Sequence, residues 1–177
     1  MITLNNILVL GIDPAPTSIG IAIVEYHRVG GVQHIRYLHG EVLKKRTSKF
    51  TPKDIAEKLR ELPTTYFSKV VVAGIEDAFI GENKQSGLGV LRVGAWCQMW
   101  LSMNCGAPIL LMLHQEWRNL AWGTTRWEKH DVVVKAATDN LTALGWTGFT
   151  EHEAEAVGIA IAAGRKYFDS GGLEHGN

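Results

Sequence analysis

The chain has 177 residues, 46% of them hydrophobic and 20% charged, with acidic and basic side chains in equal number. That composition fits one soluble globular domain with a sizeable core. Zero net charge excludes a global electrostatic pull toward nucleic acid, so any such binding must come from local patches. Cys97 and Cys105 form no metal or disulfide pattern, as expected of reduced thiols in a cytosol. The N-terminus runs into a strand without a basic start or a small-residue cleavage site, so no secretory leader is expected.

Residues 7–12 are an apolar, β-branched run that ends in a carboxylate, Asp13. So dense a run reads as a strand buried on both faces. Its terminal Asp either caps the Asp-Pro turn it begins or awaits a cation. A second strand over 19–26 is expected to pair antiparallel with the first. Gly30-Gly31 marks a turn, and 32–42 alternates loosely as a third strand. Lys44, Lys45, Arg46 and Lys49 then form a basic loop, the densest positive patch in the chain.

Thr51-Pro52-Lys53-Asp54 begins a helix: Thr51 suits the N-cap, Pro52 the first helical position and Asp54 the helix dipole. Pro63 lies where that helix should stop. Residues 69–75 are a fourth doubly buried strand, again ending in an acid, Glu76, and followed by Phe79 and a polar turn containing Asn83. A long helix is predicted over 86–104 and a fifth strand over 109–113. The stretch between Arg92 and Glu116 has no charged residue and is long enough to suggest a membrane span. Asn104, Gly106 and Pro108 interrupt it, so it reads as a buried helix, a loop and a buried strand, with no membrane involved. A short helix follows, then a Gly123-Thr124-Thr125 break and a helix to about residue 144. The last helix spans 151–168, and 171–177 reads as a disordered tail.

The elements therefore predict an α/β fold: a mixed five-stranded sheet with helices on both faces. If the first and fourth strands are neighbours, Asp13 and Glu76 converge at one sheet edge. The last helix opens with Glu151, His152, Glu153 and Glu155, and His152 and Glu155 share one face. Such a first turn, set beside the strand ends, aims His152 and Glu155 at Asp13 and Glu76. Acids gathered at one place cannot all stay ionised without a cation, and carboxylates with one imidazole suit Mg²⁺ or Mn²⁺. Read singly, the helix acids equally complement the helix dipole, and His152 equally suits a solvated surface.

Three stretches, GIDPAPTSIGIAIVE, GIEDAFIGENKQSGLGVLRVGA and HEAEAVGIAIA, resemble the signature stretches of RuvC-type Holliday junction resolvases. The resemblance covers nearly the whole chain, in order. It implies an RNase H-like nuclease domain over 1–170 that cuts four-way DNA junctions by paired nicks, as a homodimer. It implies two ions, Mg²⁺ or Mn²⁺, held by Asp13, Glu76, His152 and Glu155. It further implies that Phe79 wedges into the crossover and that Arg118 and Lys129 lie near the scissile phosphate, Lys129 with a catalytic role. The family's last ligand pair is usually two Asp; here it is His and Glu.

Other residues are read beside these. Asn83, Arg126, Lys44, Lys45 and Arg46 are candidate DNA contacts that the net charge hides, or simply solvated. Phe79, Trp117, Trp122 and Trp127 equally suit a core. Trp96 and Trp100 are core or a dimer face, and the apolar face of the long helix over 88–103, with Met103, is the candidate interface. The alternatives are another nuclease of this fold (YqgF-type, flap or RNA–DNA hybrid) and a non-catalytic junction binder. The expected compartment is the cytoplasm of a bacterial cell or phage-infected host.

Overall fold

A computed structural model describes residues 6–29, 32–45, 48–62, 64–77, 84–123 and 150–171. The predicted helix to residue 144 and the tail from 172 lie outside these, as do Arg46, Pro63, Phe79, Asn83, Arg126, Trp127 and Lys129. Five strands form one sheet: β1 (Ile7–Pro14), β2 (Ser18–Val29), β3 (Val32–Lys44), β4 (Val70–Asp77) and β5 (Ile109–Leu113). Their order is β3-β2-β1-β4-β5, with β1 antiparallel to β2 and parallel to β4. The chain thus has the expected mixed five-stranded sheet, and its first and fourth strands are neighbours.

Helices cover both faces. On one lie α1 (Pro52–Glu61), the short α2 (Thr64–Phe67) and α3 (Lys84–Asn104). On the other lie α4 (His114–Trp122) and α5 (Glu151–Asp169). The two-residue period of β1 divides its side chains between two cores. Leu10 and Ile12 pack with Ile55, Leu59, Val93 and Leu101. Val9 packs with Val72, Trp117, Val157 and Ile159. The same period leaves Gly11 and Asp13 on the α5 face. α1 starts as its sequence dictates: the Thr51 hydroxyl accepts from the Asp54 amide, and Asp54 accepts from the Thr51 amide.

α5 sits unusually low on the sheet. A Cβ on Gly20 would lie 2.0 Å from the His152 carbonyl oxygen, and one on Gly11 would lie 2.0 Å from that of Ala156. Glycine alone permits this approach of helix backbone to strand backbone. A Cβ on Gly74 of β4 would meet the Ala163 and Ile159 side chains at 2.9 Å. The helix therefore crosses β2, β1 and β4 on small residues at helical spacing, and residues 154–164 are all buried.

Three sequence expectations change. β3 runs two residues beyond its predicted end, so Lys44 belongs to a strand, opposite Ser18, rather than to the basic loop. β5 is not buried on both faces: it is an edge strand, with Met112 enclosed but Leu111 and Leu113 exposed by 42% and 47%. Among the described residues no sixth strand or helix covers that side, and alternate residues are open. α3 has two apolar sides. Trp100 turns inward, edge-on to Phe67, beside buried Val93, Cys97 and Leu101, whereas Met99 and Met103 are exposed by 53% and 78%. Among the described residues no helix is long and apolar enough to cross a membrane. Burial pushes the Cys97 thiol up to about 12, and both cysteines are free.

The close seating of α5 generates a stability test. Gly11→Ala should push α5 off the sheet and destabilise the fold by roughly 1–3 kcal/mol, the usual cost of overpacking. A thermal midpoint lowered by several degrees is expected in a domain this size. An unchanged midpoint would show that the helix can lift freely.

Candidate metal centre

The β1–β2 register sets Asp13 directly opposite Gly20, on which the His152 backbone rests. This is how a strand end and a helix start 139 residues apart are brought into contact. His152 Nδ1 lies 2.5 Å from Asp13 Oδ2, and its Nε2 lies 2.7 Å from the Ser18 hydroxyl. One turn along the same face stands Glu155. Asp13, His152 and Glu155 each present a ligand atom, and these atoms lie within 4.8 Å of one another. Thr150 caps the helix by accepting from the Glu153 amide, which fixes the first turn that carries His152.

Glu76 is the next-to-last residue of β4, the strand beside β1. The parallel pairing brings it to the same edge, where its charge acts on Asp13. Its two oxygens are held by α4: Oε1 lies 3.1 Å from His114 Nδ1, and Oε2 accepts from Trp117 Nε1 at 3.0 Å. Glu76 thus neighbours the three-residue cluster rather than joining it. His114 and Trp117 are three apart and share a helix face. Only the placement of α4 behind β5 reveals what that face holds, and the sequence suggested no such role for either.

Arg118 is buried. Its guanidinium donates to Glu155 Oε1 at 3.2 Å and lies 5.4 Å from the Trp117 ring centroid. It is thus placed behind the cluster, against a candidate ligand, rather than on an open surface. Trp117 is fully buried. Lys44 and Lys45 lie at the end of β3, on the same sheet edge as Asp13. Lys45 donates to Asp54 at 2.6 Å, a contact that with Thr51 draws the Asp54 carboxyl down to about 2. Tyr37, from β3, donates to Glu153 and so turns that acid away from the cluster.

The charges explain what the cluster wants. Burial pushes the Asp13 carboxyl above its usual range; the His152 contact opposes this, while the Glu76 charge adds to it. The bond to Asp13 holds the His152 imidazole above its ordinary 6.5, against the effect of burial. Both groups therefore hold protons more tightly than they do in water. A cluster that gathers protons is short of positive charge, which a divalent cation would supply. The donor set of two carboxylates and one imidazole fits Mg²⁺ or Mn²⁺.

No family model matches the sequence, and no curated protein matches it. Solved structures do. The Thermus thermophilus RuvC structure superposes with a TM-score of 0.71 at 22% identity, over 93% of this chain and 97% of that one. T. thermophilus RuvC in complex with Holliday junction substrate gives 0.64 at 20%, over 93% and 97%. A fowlpox virus resolvase in complex with substrate Holliday junction DNA gives 0.50 at 14%, over 92% and 99%. The chain has the fold of these proteins: the mixed five-stranded α/β sheet that its elements predict and the RNase H-like fold that the resemblance implies.

Two tests follow from this geometry. A raised imidazole pKa means that protons must leave before His152 can ligate, so metal binding releases protons. Stabilisation by Mn²⁺ should therefore grow as pH rises through neutrality. In metal-free protein, the stability owed to charged His152 is full below 6.5 and fades as pH rises through the raised value. Melting curves against pH, with and without Mn²⁺, check both signs; a metal effect independent of pH would remove His152 from the ligand set. Separately, Trp117→Phe keeps the ring but removes the donor to Glu76. It should cost about 10–100-fold in metal affinity, as loss of a ligand's supporting hydrogen bond generally does. Calorimetric titration with Mn²⁺ measures it.

Proposed function

We propose that this chain is a metal-dependent endonuclease that resolves four-way DNA junctions. The observation that carries the reading is the convergence of Asp13, His152 and Glu155 at one sheet edge, with Glu76 on the adjoining strand, in the fold that RuvC has. Asp13, Glu76, His152 and Glu155 hold the metal, as a pair of ions once DNA is bound. When bound, such ions supply Lewis acidity toward the phosphate and toward water.

The protein's own residues do the remaining work. Arg118 fixes Glu155 from behind, and His114 with Trp117 keeps Glu76 turned toward the edge. Ser18 orients the His152 ring. Lys44, opposite Ser18 in the sheet, stands beside the cluster where a phosphate backbone would pass. Phosphate contacts of this kind set register and affinity but carry no sequence information. Arg46, Asn83, Arg126 and Lys129 are further proposed DNA contacts, Lys129 with a catalytic role, and Phe79 is the proposed wedge at the crossover; all five lie outside the described residues.

Paired nicks on a two-fold junction require two sites related by a two-fold axis, hence a homodimer. The supporting surface is apolar: Leu91, Ala95 and Leu111 line one shallow hollow, with exposed Met99 and Leu113 as further apolar surface on the same two elements. This interface replaces the Trp100 face expected from sequence.

The deciding experiment is cleavage of a synthetic mobile junction in Mg²⁺ and in Mn²⁺, beside a flap and an RNA–DNA hybrid. Junction cutting by wild type, abolished in Asp13→Asn and Glu76→Gln while junction binding persists, is expected. Preference for the flap or hybrid would transfer the activity to another nuclease class, and binding without any cutting would make the protein a junction binder. The imidazole should favour Mn²⁺, and His152→Asp should narrow the Mn²⁺-to-Mg²⁺ rate ratio. Light scattering at micromolar concentration should give a dimer, with Met99→Glu a monomer; a monomeric wild type would refute the interface.

A further inference from the structure

A cleft of about 510 Å³ opens on the α3 side of the sheet. That size lies within the range of pockets for small ligands, about 300–1,000 Å³. Its apolar wall is Pro16, Phe50, Leu88 and Trp96, and its cations are Lys49 and Arg92. Trp96 is half-buried, its inner side packed on the core and the remainder lining the cleft. Arg92 and Lys49 are exposed, and among the described residues neither has an acidic partner. That contrasts with Lys45, which is spent on Asp54. A flat aromatic side chain in one cleft with two free cations suits a ligand that is itself flat and anionic.

The cleft is also fastened to the metal centre. The turn after Asp13 forms its rim: Pro16 is three residues on, and a Cβ on Gly89 of α3 would lie 2.7 Å from its Cγ. The loop carrying Lys49 is bound to the same turn. The Phe50 amide donates to the Pro16 carbonyl at 3.0 Å, and the Lys45 amide donates to the Thr17 carbonyl at 2.9 Å. The rim and the metal centre thus share the turn that begins at Asp13. Two adjacent phosphates match two cations, and a base has a face to lay on Trp96.

We infer that the cleft is a subsite for an unpaired nucleotide of the DNA strand being cut, with its base on Trp96 and its phosphates on Arg92 and Lys49. The subsite rests on the nuclease reading above and adds a requirement to it: the junction must be open by at least one nucleotide beside the cut. Duplex bases stacked on their neighbours have no free face to offer.

The test uses the full chain and a short fluorescein-labelled thymidine oligonucleotide, read by anisotropy against salt. The double variant Arg92→Ala/Lys49→Ala should weaken binding at least about tenfold. It should also flatten the salt slope by about 1.4, since each single-strand phosphate contact accounts for about 0.7. Wild-type protein irradiated with the same oligonucleotide carrying 5-iodouracil should crosslink at Trp96, a readout that needs no variant. Unchanged affinity and slope, or crosslinks only elsewhere, would overturn the subsite. If oligonucleotide binding depends on Arg92 and Lys49 but no junction is cut, the cleft stands as a single-strand nucleotide site and the nuclease reading, with the subsite's place beside a cut, falls. If the double variant binds the oligonucleotide normally and cuts junctions at the wild-type rate, the subsite falls and the nuclease reading stands.

Discussion

Everything at the sheet edge depends on how near α5 can come to the strands. Gly20, Gly11 and Gly74 lie on three adjacent strands, Gly11 and Gly74 in register, and the helix meets them at positions 152, 156 and 163. Side chains there would lift the helix away from β2 and β1. His152 would then leave Asp13, because its backbone rests on the glycine that pairs with Asp13. The packing of one core and the assembly of one functional cluster are thus a single geometric fact. The small residues of the helix, Ala154, Ala156, Ala160 and Ala163, serve the same seating.

The cluster is costly to keep. Carboxylates with little access to water need partners, and here each is given one: His152 for Asp13, Arg118 for Glu155, His114 and Trp117 for Glu76. These partners differ in kind. Arg118 and Trp117 are permanent donors, whereas the proton on His152 can be exchanged for a metal. The side of the cluster facing Asp13 is therefore the exchangeable one, and the side facing α4 is fixed.

Much of this arrangement was legible in the sequence. Two apolar runs ending in Asp13 and Glu76 gave the strands, and their two-residue period sets both acids on one face. The acidic first turn from Glu151 and the alanine-rich run after it marked the last helix. What stayed hidden depended on distant partners. A glycine within a strand does not say what will approach it, so the seating of α5 on Gly11 and Gly20 was invisible. The hold of His114 and Trp117 on Glu76 requires knowing that β5 lies beyond β4. Arg118 read as a phosphate contact because its helix gave no sign of which face turns inward. Trp100 and Met103 looked alike in an apolar helix, yet one is core and the other exposed. β5 reads as buried because an apolar run looks the same whether a neighbour covers it or not.

The sequence separation of the cluster also has a meaning in time. Asp13 emerges from the ribosome 139 residues ahead of its partner His152. Until the last helix has been made and has docked, the cluster of Asp13, His152 and Glu155 does not exist, only a strand with a lone acid near its end. A contact so distant along the chain closes a long loop and is gained late and cooperatively. Truncated or half-folded chains thereby lack the complete cluster.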